Sequence, residues 1–233
     1  MQVVILCGGR GTRMGSGDLP KAMFPIGGKP ILWHIMSMYA FYGFSEFILC
    51  LGYKGKAIKD YFKSIRNWKV TFVDTGLDTN TGGRIYRARK YIKNETFFAT
   101  YGDGLADVDL RKLAGFHNNH RRMATLTAVK PSSPFGIVGI DASTNVVTHF
   151  EEKPILDHWI NGGFFVFDRE VFRYIRNNDI LEKDSFSRML KNNNLNAYKH
   201  AGFWECMDTY KDNLRLNSMW DNNLAPWAVW RRK

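Results

Sequence analysis

Residues 3–14 read VVILCGGRGTRM, and the reading of this stretch sets the fold. Val3 to Leu6 is a short apolar run rich in β-branched side chains, the pattern of a buried strand. Gly8, Gly9 and Gly11 follow at once and free the backbone to turn tightly or to lie against a ligand. Arg10 and Arg13 within the turn, and Lys21 just beyond it, add fixed positive charge. A strand, a glycine turn and cations together predict a cradle for phosphate oxygens.

Outward from this stretch, apolar runs alternate with helical patterns. Pro30 opens a helix with Ile31, Leu32, Ile35, Met36 and Tyr39 on one face, closed by Gly43. Strand EFILCLG (46–52) precedes helix KGKAIKDYFKSI (54–65), and strand KVTFVD (69–74) precedes helix GRIYRARKYI (83–92). Strand TFFATYGDG (96–104) precedes helix DLRKLAGFHNNH (109–120), and strand MATLTAVK (123–130) comes next. This rhythm predicts an α/β fold, a three-layer Rossmann-like sheet that is mainly parallel. The second half is richer in strand: GIVGI (136–140), NVVTHFEE (145–152), GGFFVFD (162–168) and LNAYKH (195–200). Helices are expected near REVFRYI (169–175) and SFSRMLKN (185–192). A mixed sheet, or a small sheet added to the parallel core, accommodates them. With no linker or repeat, one domain over residues 1–233 is expected.

Composition narrows the function classes. Hydrophobic content of 45% with 24% charged residues is globular, and no apolar run has the length of a membrane span. No leader pattern precedes Val3. Cys7, Cys50 and Cys206 are widely spaced, with no metal-binding C-x-x-C pair, and read as reduced core residues of a cytoplasmic protein. The net charge of +11 favours anionic partners. The basic residues are scattered rather than striped, and the clusters HNNHRRM (117–123) and RRK (231–233) are short. Nucleotides and sugar phosphates suit such a chain better than nucleic acid.

Two familiar phosphate loops fail. The Walker string G-x-x-x-x-G-K-[ST] is absent. The dinucleotide pattern G-x-G-x-x-G fits Gly9 and Gly11 but meets Met14 at its third position. Thr12, Arg13 and the downstream Pro20-Lys21 point elsewhere. ILCGGRGTRM (5–14) followed by PKAMFPIGGKPILWHI (20–35) resembles the nucleotidyltransferases that make nucleoside-diphosphate sugars, and is most similar to their cytidylyltransferases. The likeness continues in order through LGYKGKAIKDYF (51–62), VDTG (73–76), TGGR (81–84), TYGDGLAD (100–107), FEEKP (150–154), INGGFFVF (160–167), GFWECMDT (202–209) and APWAVW (225–230).

The resemblance implies Mg²⁺-dependent attack of a sugar 1-phosphate, expected to be glucose 1-phosphate, on the α-phosphorus of CTP. The products are a CDP-sugar and pyrophosphate. No membrane partner is expected of a chain without a span-length apolar run, and a homo-oligomer is expected from its tryptophan-rich C-terminal segment. Two departures stand out. Ala22 replaces the proline that follows the family lysine, and only RNW (66–68) bridges Ile65 and Lys69. There the family carries a longer excursion that shapes a neighbouring subunit's nucleotide site. Another base, or another phosphate or phosphonate acceptor, therefore stays open. So does a non-catalytic nucleotide-sugar-binding regulator, against which the joint retention of Arg13, Lys21, Asp103, Lys153 and Asp208 speaks.

The resemblance also assigns roles. Arg13 and Lys21 contact the triphosphate and α-phosphate, with the backbone of Leu6, Gly8, Gly9, Gly11, Thr12 and Gly102 lining the nucleotide. Gly82, Gly83 and Arg84 either read the base or simply start a helix. Asp103 and Asp208 jointly hold the metal. The plainer alternatives are an Asp-Gly turn for Asp103 and a helix N-cap for Asp208. Lys153 grips the phosphate of the sugar phosphate, Glu152 accepts from its hydroxyls, and Asn161 and Gly162 let the sugar approach the backbone. His117 and His120 share a helix face without a third ligand and read as structural. Trp220, Trp227 and Trp230 are too apolar for a free tail, and predict packing on the core or self-association.

Overall fold

The computed structural model describes residues 1–9, 11 and 19–231. In chain order its strands and helices are β1 (Gln2–Leu6), β2 (Pro25–Ile26), β3 (Lys29–Pro30), α1 (Ile31–Phe41), β4 (Glu46–Leu51), α2 (Gly55–Phe62), β5 (Lys69–Asp74), α3 (Thr81–Ala88), β6 (Thr96–Tyr101) and β7 (Gly104–Ala106). There follow α4 (Leu110–His120), β8 (Ala124–Val129), β9 (Ile137–Ile140), β10 (Val147–Glu151), β11 (Ile160–Asp168), α5 (Phe186–Lys191), β12 (Leu195–His200), β13 (Trp204–Cys206) and α6 (Tyr210–Asp221).

Seven strands form the central sheet in the order β12-β8-β11-β6-β1-β4-β5. All neighbouring pairs are parallel except those of β11, which runs antiparallel to both β6 and β8. Both expectations for the second half hold at once. β11 makes the main sheet mixed, and β9–β10 form a separate two-stranded ribbon. β1 is buried along its whole length, and the period-two alternation divides it between two cores. Val3 and Ile5 join the cluster with Ile35, Phe47 and Trp227 on one face; Val4 and Leu6 join Ile85, Phe97 and Phe165 on the other. Continuous apolar strands are what a sheet covered on both faces requires.

The chain proceeds from β1 through β4 to β5 on one side, then returns to place β6 on the other side of β1. That reversal opens a crevice beyond the carboxyl ends of β1 and β6, the usual place for a ligand in such sheets. Two helical expectations change form. REVFRYI makes only a 3-10 segment, Arg169–Arg173, and a π-helical stretch, Leu181–Ser185, leads into α5. The β2–β3 hairpin was not anticipated; Gly27 and Gly28, at φ of +56° and +75°, make its turn.

The tryptophans serve the chain's own core. Trp227 is fully buried and its indole N–H donates to His34 Nδ1 at 3.3 Å. Trp220 meets the same imidazole edge-on at 4.6 Å between ring centres, and Trp230 packs on Trp33. Of the two expectations for them, packing on the chain's own core is what this cluster shows, with Trp220 and Trp230 half-buried. His34 Nε2 faces the Ile26 carbonyl at 2.8 Å. With Nδ1 already accepting, the ring is held in its neutral Nε2–H form.

Candidate active site

The site is built where β1 and β6 end. Gly102 N–H donates to the Leu6 carbonyl at 3.1 Å, locking the two strand ends together. The glycine loop leaves β1 here. Gly11 has φ of +64°, a conformation that a side chain strains, and a Cβ on it would lie 2.8 Å from Lys21 Cβ. The loop is thereby folded back against Lys21, which opens a 3-10 turn, Lys21–Met23, behind Pro20. Arg13 and Thr12 lie outside the described residues.

Asp103 follows β6 after a single glycine, Gly102. Asp208 comes from the other end of the chain, carried in by the short antiparallel ladder between β7 and β13, with Cys206 opposite Gly104 and Trp204 opposite Ala106. Met207 N–H donates to the Asp103 carbonyl at 2.9 Å and fixes the approach. The N-cap reading of Asp208 is corrected. Thr209 caps α6 in a capping box with Asp212, whose carboxylate also accepts from the Asp208 N–H at 3.0 Å. The Asp208 side chain is left to the site.

Lys21 Nζ donates to Asp103 Oδ2 at 2.7 Å and also to Asp208 Oδ1. Burial opposes the charged ammonium, but attraction to Asp103, with hydrogen bonds to both carboxylates, outweighs it and holds the lysine above its ordinary value. The ammonium is thus a stand-in for a cation. Ligand atoms of Asp103, Asp208 and Cys206 lie within 4.8 Å of one another, and no other such cluster occurs among the described residues. Two carboxylates converging on a positive charge fit a hard divalent ion such as Mg²⁺. Burial, then the nearby Asp103 carboxylate, pushes the Cys206 thiol well above its usual value.

A cavity of about 360 Å³ opens beside the two aspartates, with Asn161, Gly162, Gly163, Tyr101 and Trp204 on its wall. Asn161 Oδ1 accepts from Gly163 N–H at 2.9 Å, and the Trp204 indole donates to the Gly162 carbonyl at 2.7 Å. The pairing of β11 with β8 is interrupted between Asn161 and Phe165, which frees this backbone. Asn161 and Gly162 therefore join Asp103 and Asp208 as expected. Glu152 and Lys153 do not line this cavity. They lie exposed beyond β10 and pair with each other at 3.0 Å, with Lys153 in the left-handed region at φ +50°.

The TGGR segment starts α3 and serves its packing. A Cβ on Gly82 would meet Asp179 Cβ at 2.9 Å, and one on Gly83 would meet the Asn177 carbonyl at 2.2 Å, so both glycines let α3 pack on residues 177–179. Arg84 is buried and its two terminal nitrogens donate to the carbonyls of Gly8, Leu51, Gly76 and Leu77 and to Thr75 Oγ1, at 2.7–3.1 Å. It ties the loops after β1, β4 and β5 together behind the nucleotide loop. His117 is structural as expected, bonded to Thr125 and Asp168. The residues missed by sequence reasoning are Cys206, Trp204 and Tyr101. Cys206 stands two positions before Asp208, the spacing of one strand face, which was the available signal.

A glycine loop, a lysine and a carboxylate pair at the switch point of a mainly parallel sheet define a phosphate-handling α/β protein. The nucleotidyl transferase family profile matches residues 2–221, and the chain belongs to that family. It is 43% identical over 256 positions to a probable glucose-1-phosphate cytidylyltransferase of Bacillus subtilis, covering 99% of this chain and 100% of the relative. It is 42% identical over 258 positions to a glucose-1-phosphate cytidylyltransferase of Salmonella typhi, with the same coverage of 99% and 100%. Among solved structures, HddC from Yersinia pseudotuberculosis superposes with a TM-score of 0.74 at 26% identity, over 94% of this chain and 99% of that one. An alignment of 256 positions against 233 residues leaves at least 23 positions of the Bacillus relative without a counterpart here. A deficit of this kind is expected after Ile65, where residues 63–68 alone join α2 to β5.

Proposed function

We propose that the chain transfers a cytidylyl group from CTP to glucose 1-phosphate, releasing pyrophosphate. An oxygen of the sugar phosphate forms the new bond to the α-phosphorus as the bond to the pyrophosphate oxygen breaks. No protein nucleophile is needed, and positioning with charge stabilisation carries such transfers. The observation that carries the reading is Lys21 held between Asp103 and Asp208, beside the glycine loop and the cavity at Asn161 and Gly162. The likeness to the two cytidylyltransferases supports the choice of base and sugar.

In this reading Lys21, with Arg13, meets the α-phosphate and triphosphate. The backbone of Gly8, Gly9, Gly11 and Thr12 is assigned to the phosphates, and Leu6 and Gly102 to the nucleotide. Asp103 and Asp208 hold Mg²⁺, which when bound neutralises phosphate charge. Asn161 and Gly162 receive the sugar, while Lys153 and Glu152, which lie exposed outside that cavity, are given its phosphate and hydroxyls by the family resemblance alone. Free Cys7, Cys50 and Cys206 suit the reducing cytoplasm. Self-association falls to the exposed apolar ribbon β9–β10, where Ile140, Val147 and Phe150 face outward, and light scattering reads it directly.

The test is pyrophosphate release from each of four nucleoside triphosphates with a panel of phosphorylated acceptors. CTP with glucose 1-phosphate is expected to turn over fastest. Equal or faster turnover with UTP, dTTP or GTP overturns the base and leaves the reaction class. The missing 23 or more positions make that the outcome to watch.

A further inference from the structure

The donor set around Lys21 is wider than two carboxylates. Cys206 ends β13 directly opposite Gly104, the residue after Asp103, so the short ladder delivers its sulfur to the strand end that carries Asp103. Its Sγ lies within 4.8 Å of the Asp103 and Asp208 ligand oxygens. Unlike Cys7 and Cys50, which are sealed in the core, Cys206 is half-buried, free, and on the wall of the substrate cavity.

We propose that Asp103, Cys206 and Asp208 form one mixed oxygen–sulfur centre that captures thiophilic divalent ions of the Zn²⁺, Co²⁺ or Cd²⁺ class through the Cys206 sulfur. The inference rests on the reading that Asp103 and Asp208 hold the metal. Mg²⁺ takes oxygen donors and leaves the thiol aside. Zn²⁺-class ions accept thiolate and carboxylate together, and bind such sites far more strongly than hard ions do. As the metal–sulfur bond forms, the thiol releases one proton to solvent and the Lys21 ammonium leaves the two carboxylates. The site thus sorts cations by softness. Mg²⁺ uses two protein ligands, and a thiophilic competitor uses three.

Two titrations of the full-length protein test this. Co²⁺ is followed by thiolate-to-cobalt charge-transfer absorption in the near ultraviolet. Mn²⁺ is followed by loss of the free-ion paramagnetic resonance signal. Wild type should show the charge-transfer band, saturating at one Co²⁺ per chain. Cys206→Ser and Cys206→Ala should lack it and bind Co²⁺ at least about tenfold more weakly, since even partners behind the ligands are worth about 10–100-fold. Mn²⁺ binding should survive in both variants and be lost in Asp103→Asn. No band in wild type, or a band that persists in both Cys206 variants, overturns the inference, and the wild-type measurement needs no variant to fold. If the band is missing while Mn²⁺ binding still depends on Asp103, the two-carboxylate reading stands alone. If Mn²⁺ binding ignores Asp103→Asn, that reading falls and the inference with it.

Discussion

Lys21→Ala should slow turnover and, in the nucleotide-free chain, tighten the binding of a divalent cation. The Lys21 ammonium occupies oxygens of both Asp103 and Asp208, so a cation that uses them must first displace it. The Lys21 side chain is 16% exposed and that of Asp103 25%, which keeps their 2.7 Å bond sheltered. A charge-assisted bond of this kind is worth about 1.5–3 kcal/mol. Asp208 is 48% exposed, and solvent screening reduces its share to about 0–1 kcal/mol. Displacement therefore costs about 1.5–4 kcal/mol, and removing the lysine should strengthen Mn²⁺ binding by roughly 10–1,000-fold. Turnover should fall by about 10²–10³, the usual loss for one donor aimed at developing charge. Mn²⁺ titration by paramagnetic resonance and steady-state kcat measure the two effects, with near-ultraviolet circular dichroism to establish that the variant folds. Equal Mn²⁺ affinity in the two proteins would refute the competition, and unchanged kcat would remove Lys21 from the transition state.

Asp103→Asn and Asp208→Asn should each abolish most turnover, and the double variant should be little worse than the poorer single one, because residues acting as a unit are non-additive; strictly additive losses would give them separate jobs. Arg84→Lys cannot serve carbonyls in three loops at once, and each buried acceptor left unmet costs about 1–3 kcal/mol. We expect a lower urea midpoint together with a raised KM for the triphosphate, and an unchanged KM would confine Arg84 to stability. Burial, set against the Ile26 carbonyl, lowers the His34 pKa from 6.5 to about 4. Stability should then be complete above about pH 6.5 and decline as the pH falls toward 4. Linkage puts the loss at about 2 kcal/mol between pH 7.5 and 5, and an equal loss in His34→Gln would clear His34 as the cause.

The layered sheet was legible because its strands are covered on both faces, leaving apolar runs such as VVIL and FFAT, each followed closely by glycine. Asp103 was legible for the same reason, as the first charge after such a run. The seating of Asp208 was less so. Thr209 and Asp212 form a T-x-x-D box that reassigns the helix cap, yet only the β7–β13 ladder says which carboxylate Asp208 faces. Three-residue strands carry too little pattern to be paired from sequence. The anchoring of Arg84 was not legible for a related reason: its five acceptors come from segments that only the folded sheet brings together.

β13 is the last strand of the chain, and all seven strands of the main sheet precede it in sequence. A polypeptide still emerging from the ribosome, or one cut short before Trp204, contains the whole sheet, the glycine loop, Lys21 and Asp103 but has no second carboxylate. The second carboxylate joins the site only after every strand of the main sheet has been made.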